Sequence, residues 1–132
     1  MKNIYLVIFV LLVAFLSACG SNTWVLEKDR LAEVGSVKSY VEQLQNEHTD
    51  FQGFRVLTIS EGKKMVVVST GTSNQTLKFK ETDVSNNSTK IIIEEESTET
   101  DEKNPYILIG IDQIKGEFSV VNENEEKYKE YD

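Results

Sequence analysis

The chain has 132 residues, 14 of them basic and 22 acidic, a formal net charge of −8, and one cysteine. The acidic excess weighs against nucleic acid as a partner, since that binding depends on Lys and Arg neutralising phosphates. It also weighs against flat adsorption on an anionic membrane surface. A single cysteine leaves no intrachain disulfide, so the fold must rest on a buried core, which a domain of this size can supply.

In chain order, Met1-Lys2-Asn3 comes first, followed by an apolar run from Ile4 to Leu16. A positive start, a short apolar core and a small-residue junction are the layout of a secretory signal. A spanning helix needs roughly 20 apolar residues, but this run gives way at Gly20-Ser21-Asn22, and no later segment is apolar enough to span. An ordinary signal ends Ala-x-Ala and has no use for a cysteine. Here Leu16-Ser17-Ala18-Cys19 resembles the lipobox of bacterial lipoproteins. The resemblance implies that the Cys19 thiol is alkylated with diacylglycerol and that the chain is cut between Ala18 and Cys19. The protein then stays, by its lipid, on the extracytoplasmic face of the cell membrane.

The chemistry explains the residue types. A thiolate is the nucleophile that forms the thioether, small residues admit the peptidase, and two acyl chains anchor stably where one does not. The competing reading is an inert cysteine in an ordinary signal or membrane anchor. On the lipobox reading, residues 1–18 are the signal peptide, 19–23 a lipidated tether, and 24–132 a single β-rich domain with a polar tail. Losing Lys2 with the signal takes the formal charge to −9.

Trp24-Val25-Leu26 is a first strand or an aromatic dock for the tether. From Ser36 to Asn46, Val37, Tyr40, Val41 and Leu44 fall at i, i+3, i+4 and i+7, which predicts an amphipathic helix. Ser36 is its expected N-cap, and Gly35 argues against extending it backwards. After His48 the period changes. Phe54 to Ile59 is rich in β-formers, and Met65-Val66-Val67-Val68 is the continuous apolar run of a strand buried on both faces. Thr76 to Lys80 alternates, so one face is buried and the other solvated. Ile91 to Ile93, Tyr106 to Ile109 and Phe118 to Val121 are further strands. The acidic run Glu94 to Glu102 is expected to be a solvated hairpin loop whose charges keep neighbouring strands from pairing with other chains. Residues 122–132 are polar or charged except for Tyr128 and Tyr131, which either fold back onto a sheet edge or fray. Together these predict an α+β domain, mainly antiparallel sheet, with one amphipathic helix over about residues 36–46 packed on it.

The residue types that carry chemistry do not converge on a catalytic set. His48, the single histidine, has Glu47 and Asp50 nearby but no metal-ligand spacing. With Cys19 acylated, a serine nucleophile would need His48 or a lysine as base, and no Gly-x-Ser-x-Gly is present. The acidic run lacks the glycine turn usual in calcium loops. The expectation is therefore no enzyme, no metal and no cofactor. Asn74-Gln75-Thr76, Asn86-Asn87-Ser88 and Asn87-Ser88-Thr89 match the glycosylation acceptor pattern, as Asn- and Ser-rich turns do by composition.

From about Met65 to Val121 the order of elements resembles the C-terminal domain of PrcB-type protease-complex proteins. The matching pieces are Met65 to Val68, Gly71-Thr72, Leu77 to Lys80, Ile91 to Ile93 and Pro105-Tyr106-Ile107-Leu108, with the helix around Val37 to Leu44 ahead of them. The chain departs from that family at Thr72 to Thr76, where a double glycine and a tyrosine are usual. The resemblance implies an envelope protein that binds and stabilises a protease or similar partner. The expected function is accordingly a non-catalytic binding or accessory module for an envelope protein, with small-ligand binding and a structural spacer as the alternatives.

Overall fold

The computed structural model describes residues 23–60 and 63–131. Eight strands and one α-helix follow in order: β1 (Thr23–Val25), a 3-10 helix (Lys28–Glu33), α1 (Gly35–Asn46), β2 (Gln52–Ser60), β3 (Lys63–Thr70), β4 (Gln75–Val84), β5 (Ser88–Ser97), β6 (Tyr106–Ile111), β7 (Glu117–Asn122) and β8 (Lys129–Glu130). The strands form a five-stranded sheet, β1-β6-β3-β2-β8, and a three-stranded sheet, β4-β5-β7.

Three layers result. Helix α1 covers one face of the five-stranded sheet and the three-stranded sheet covers the other. Strands alternate their side chains between faces, so each central strand feeds both cores. Val66 and Val68 of β3 and Ile107, Ile109 and Ile111 of β6 meet Ile91, Ile93 and Val120 from the second sheet. Met65, Val67, Tyr106 and Leu108 meet Val37, Tyr40, Val41 and Leu44 of α1. This is why β3 has no polar face, as its apolar run predicted. Each fully buried aliphatic side chain contributes about 1.5–3 kcal/mol, and Leu44, Val66, Ile91 and Ile109 are all fully buried.

The antiparallel expectation holds only in part. β5 pairs with β7 and β2 pairs with β8 in parallel, so both sheets are mixed. Consecutive strands all reverse direction, but the chain alternates between sheets. Neighbours an even number of strands apart therefore run the same way, while β1–β6 and β3–β6, an odd number apart, are antiparallel. The helix begins at Gly35 rather than Ser36, with Val34 at the N-cap and no side-chain cap bond. Ser36 lies inside the first turn. The acidic run is a loop only in its second half, since Glu94 to Ser97 complete β5. β4 alternates as expected, with Lys78, Lys80, Glu81 and Asp83 exposed and a register shift between Phe79 and Glu81. Outward charges and an irregularity of this kind protect an edge strand from adding another chain.

Candidate functional site

Cys19 and Ala18 lie outside the described residues. The chain is described from Thr23, the first residue of β1 at one edge of the five-stranded sheet. Strand directions divide the molecule into two ends. The start of β1, the β2–β3 turn, the β4–β5 turn (residues 85–87) and the β6–β7 loop (112–116) share the end where the described chain begins, called the tether end after the tether expected from the sequence. The α1–β2 loop (47–51), the β3–β4 turn (71–74) and the segment from β5 to β6 (98–105) share the far end.

The far end is built around Asn104, which is fully buried. Its backbone N–H donates to Gln45 Oε1 at 3.0 Å, and its carbonyl accepts from Gln45 Nε2 at 2.6 Å. Its side-chain Oδ1 accepts from the Gly71 N–H at 2.8 Å, and its Nδ2 donates to the carbonyls of His48 (2.9 Å) and Phe51 (3.1 Å). One residue thus fastens the end of α1 through its backbone, and the entry to β2 and the β3–β4 turn through its side chain. Thr98 and Thr100 N–H groups donate to the Asn74 and Ser73 carbonyls and hold the acidic segment against that turn. Between these loops lies an open depression of about 520 Å3 lined by Asp50, Asp101, Glu102 and Lys103, with Thr49, Thr72, Ser73 and Thr100. Glu102 forms an ion pair with Lys28, whose ammonium lies 4.3 Å from the Tyr106 ring centre. Burial and Glu102 together raise the Tyr106 phenol above its usual range.

Charge separates sharply between the ends. Residues 47–51, 71–74 and 98–105 carry Glu47, Asp50, Glu99, Asp101 and Glu102 against Lys103 alone. The turns of the tether end, residues 61–64, 85–87 and 112–116, carry Glu61 and Asp112 against Lys63, Lys64 and Lys115.

The C-terminal segment closes the side of the sandwich opposite β1 and β4. Lys127 bridges Val121 of β7, and β8 then pairs with Gly53 and Phe54 of β2. Tyr128 Oη donates to Glu95 Oε1 at 2.7 Å, and Asn122 Nδ2 donates to the same oxygen at 3.1 Å. Burial and that bond push the Tyr128 phenol far up. Beside them is a polar cavity of about 260 Å3 lined by Gln52, Glu95, Asn122, Glu126, Lys127, Tyr128 and Lys129.

Tyr131 packs edge-on against Tyr40 and Phe51, each with ring centres 5.4 Å apart. The Arg55 guanidinium stacks 4.9 Å from the Tyr40 ring centre and 5.1 Å from that of Tyr131. His48, just past the end of α1, is half-buried with Nε2 3.4 Å from Tyr131 Oη. Thus both terminal tyrosines fold back onto the domain. A second concavity of about 260 Å3, mainly apolar, lies between β1, β6 and β4, lined by Val25, Leu26, Leu77, Pro105, Tyr106 and Ile107 among others. Val25 is 46% exposed.

Among the described residues no group of three or more His, Cys, Asp or Glu is arranged to hold a metal ion. No described helix is long and apolar enough to cross a membrane. Neither Asn104 as the hub of the far end nor Glu95 as the partner of Tyr128 is legible in the sequence. Asn before Pro105 was a turn signal, but the five bonds it makes join segments distant in sequence. The uncharacterized protein YycS of Bacillus subtilis (strain 168) is 44% identical over 130 residues, spanning 95% of this chain and 93% of YycS. No family model matches the chain, and no solved structure matches it.

Proposed function

The chain belongs to the family of YycS, and from its own residues we propose that it is a lipoprotein of the extracytoplasmic face, anchored through Cys19. Its domain serves as a non-catalytic binding module for an envelope protein. The observation that carries the binding reading is the acidic depression beside Asn104, concave, built on fastened loops and placed at the end away from the tether. Such a surface favours a basic partner by steering its approach. The lipid concentrates the module near other membrane proteins. The resemblance of residues 65–121 to PrcB-type domains favours a protease or protease complex as the partner.

The test is cross-linking in living cells from a photoreactive residue placed at Thr98, with a Cys19→Ala copy in parallel. One envelope protein should be captured by the anchored chain and lost in the variant. Wild-type-like membrane retention of Cys19→Ala would sink the anchor, and capture of only bulk membrane protein would sink the binding module. A small-ligand module is the second reading, favoured by the apolar concavity at β1. It predicts a rise in melting temperature with extracted lipids or cell-wall fragments, and a flat response to all of them counts against it.

A further inference from the structure

We infer that the tether end of the domain, the turns around Asn86, Gln113 and Lys63, faces the lipid headgroups, so that the acidic depression points away from the membrane. The inference rests on the Cys19 anchor proposed above and adds to it an orientation. Three residues, Gly20, Ser21 and Asn22, separate Cys19 from Thr23. Four residue steps reach at most about 14 Å when fully extended, so the first residue of β1 is held within that distance of the modified cysteine. β1 enters at the end where β3 begins and β6 finishes, as the pairings Thr23 with Ile111 and Lys64 with Ile111 show. From there the eight residues of β3 run about 26 Å to the far end at some 3.3 Å each.

The charges favour the same arrangement. The near turns carry three lysines against two carboxylates, and the far loops five carboxylates against one lysine. An anionic leaflet attracts basic groups and repels acidic ones within a Debye length of about 8–10 Å. Standing on its tether end, the domain keeps its acidic loops beyond that range. Lying on the β1 and β4 edge would bring Glu102 and Asp101 towards the headgroups.

The experiment uses the lipidated chain, purified from membranes and reconstituted in vesicles of phosphatidylglycerol and phosphatidylethanolamine. Single cysteines replace Asn86, Lys80 and Thr98, all exposed, and carry an environment-sensitive maleimide dye. A nitroxide on the lipid headgroup should quench the dye at Asn86→Cys by roughly half or more and the dye at Thr98→Cys by roughly a tenth or less, given the ~26 Å between the ends. Equal quenching at the two sites, or strongest quenching at Lys80→Cys, overturns the orientation. The chain with no added cysteine is the control for the premise. If it takes up the dye, Cys19 is a free thiol and the anchor itself fails; if it does not and the quenching is flat or reversed, the orientation alone fails.

Discussion

Asn104 shows how one buried amide can outweigh its size. Its side chain satisfies the Gly71 N–H and adds a bond to each of the carbonyls of His48 and Phe51, which also accept from the Phe51 N–H and the Ser69 hydroxyl. Leaving the Gly71 N–H unpaired costs about 1–3 kcal/mol and each lost carbonyl bond about 0.5–1.5 kcal/mol, so Asn104→Ala should lower stability by about 3 kcal/mol in urea unfolding. A loss under about 1 kcal/mol would show that the loops have other support. Tyr40 presents the opposite case. Its hydroxyl is buried with no hydrogen-bond partner among the described residues, and burial pushes its phenol up to about 12, against the opposing pull of Arg55. In the unfolded chain the phenol ionises near pH 10. The folded state therefore holds its proton where the unfolded state has lost it. This contribution is fully present below about pH 10 and falls away by about 2–3 kcal/mol in all as pH rises to about 12. Tyr40→Phe should leave stability at pH 8 within about 1 kcal/mol of wild type and flatten the alkaline loss. Denaturation curves at pH 8, 10 and 11.5 measure both, and an unchanged alkaline slope would contradict the assignment. Neither role could be read from composition, because each depends on what the fold places around one polar group.

At the scale of elements, β8 is short but sits where it closes an open side. It covers the β2 edge at Gly53 and Phe54, and the Tyr131 N–H donates to the Phe54 carbonyl. Deleting residues 127–132 should therefore expose that edge together with Phe54 and Tyr40. An uncovered edge is a template for pairing between chains, and the truncated protein should self-associate in size-exclusion chromatography where the full chain does not. Tyr131→Ala, which keeps the backbone, should stay monomeric and lose about 2 kcal/mol of stability from the aromatic contacts alone. Association of that single variant would move the role from the strand to the side chain. The contrast between legible and illegible elements has a local cause. Val37 to Leu44 and Met65 to Val68 declare themselves because periodicity and burial on both faces are written in adjacent residues. The parallel pairings of β5 with β7 and β2 with β8 are not, since they arise when the chain crosses between sheets. β8 itself is two charged residues, Lys129 and Glu130, held by register rather than by hydrophobicity.

For the whole molecule, the net charge of −8 is less informative than its placement. Read as a sum, the charge weighs against nucleic acid and flat membrane adsorption; read on the fold, it concentrates at the end built on Asn104. A partner drawn to the acidic depression approaches a focused field, which raises association rates by about 10- to 1,000-fold and weakens with added salt. Neutralising exposed carboxylates there without touching the core separates charge from shape. The triple variant Glu96→Gln, Glu99→Gln, Asp101→Asn leaves the Glu102–Lys28 ion pair and every Asn104 bond in place. In photo-cross-linking from Thr98, its initial rate of capture should fall about tenfold. The matched variant Asp83→Asn, Asp112→Asn, Glu117→Gln removes the same charge from the other half and should capture at the wild-type rate. Equal losses in both triples would mean that only the total charge matters, and the depression would no longer be the site of contact. A loss confined to the first triple, reproduced in wild type by raising the salt, would assign the binding surface to the acidic end.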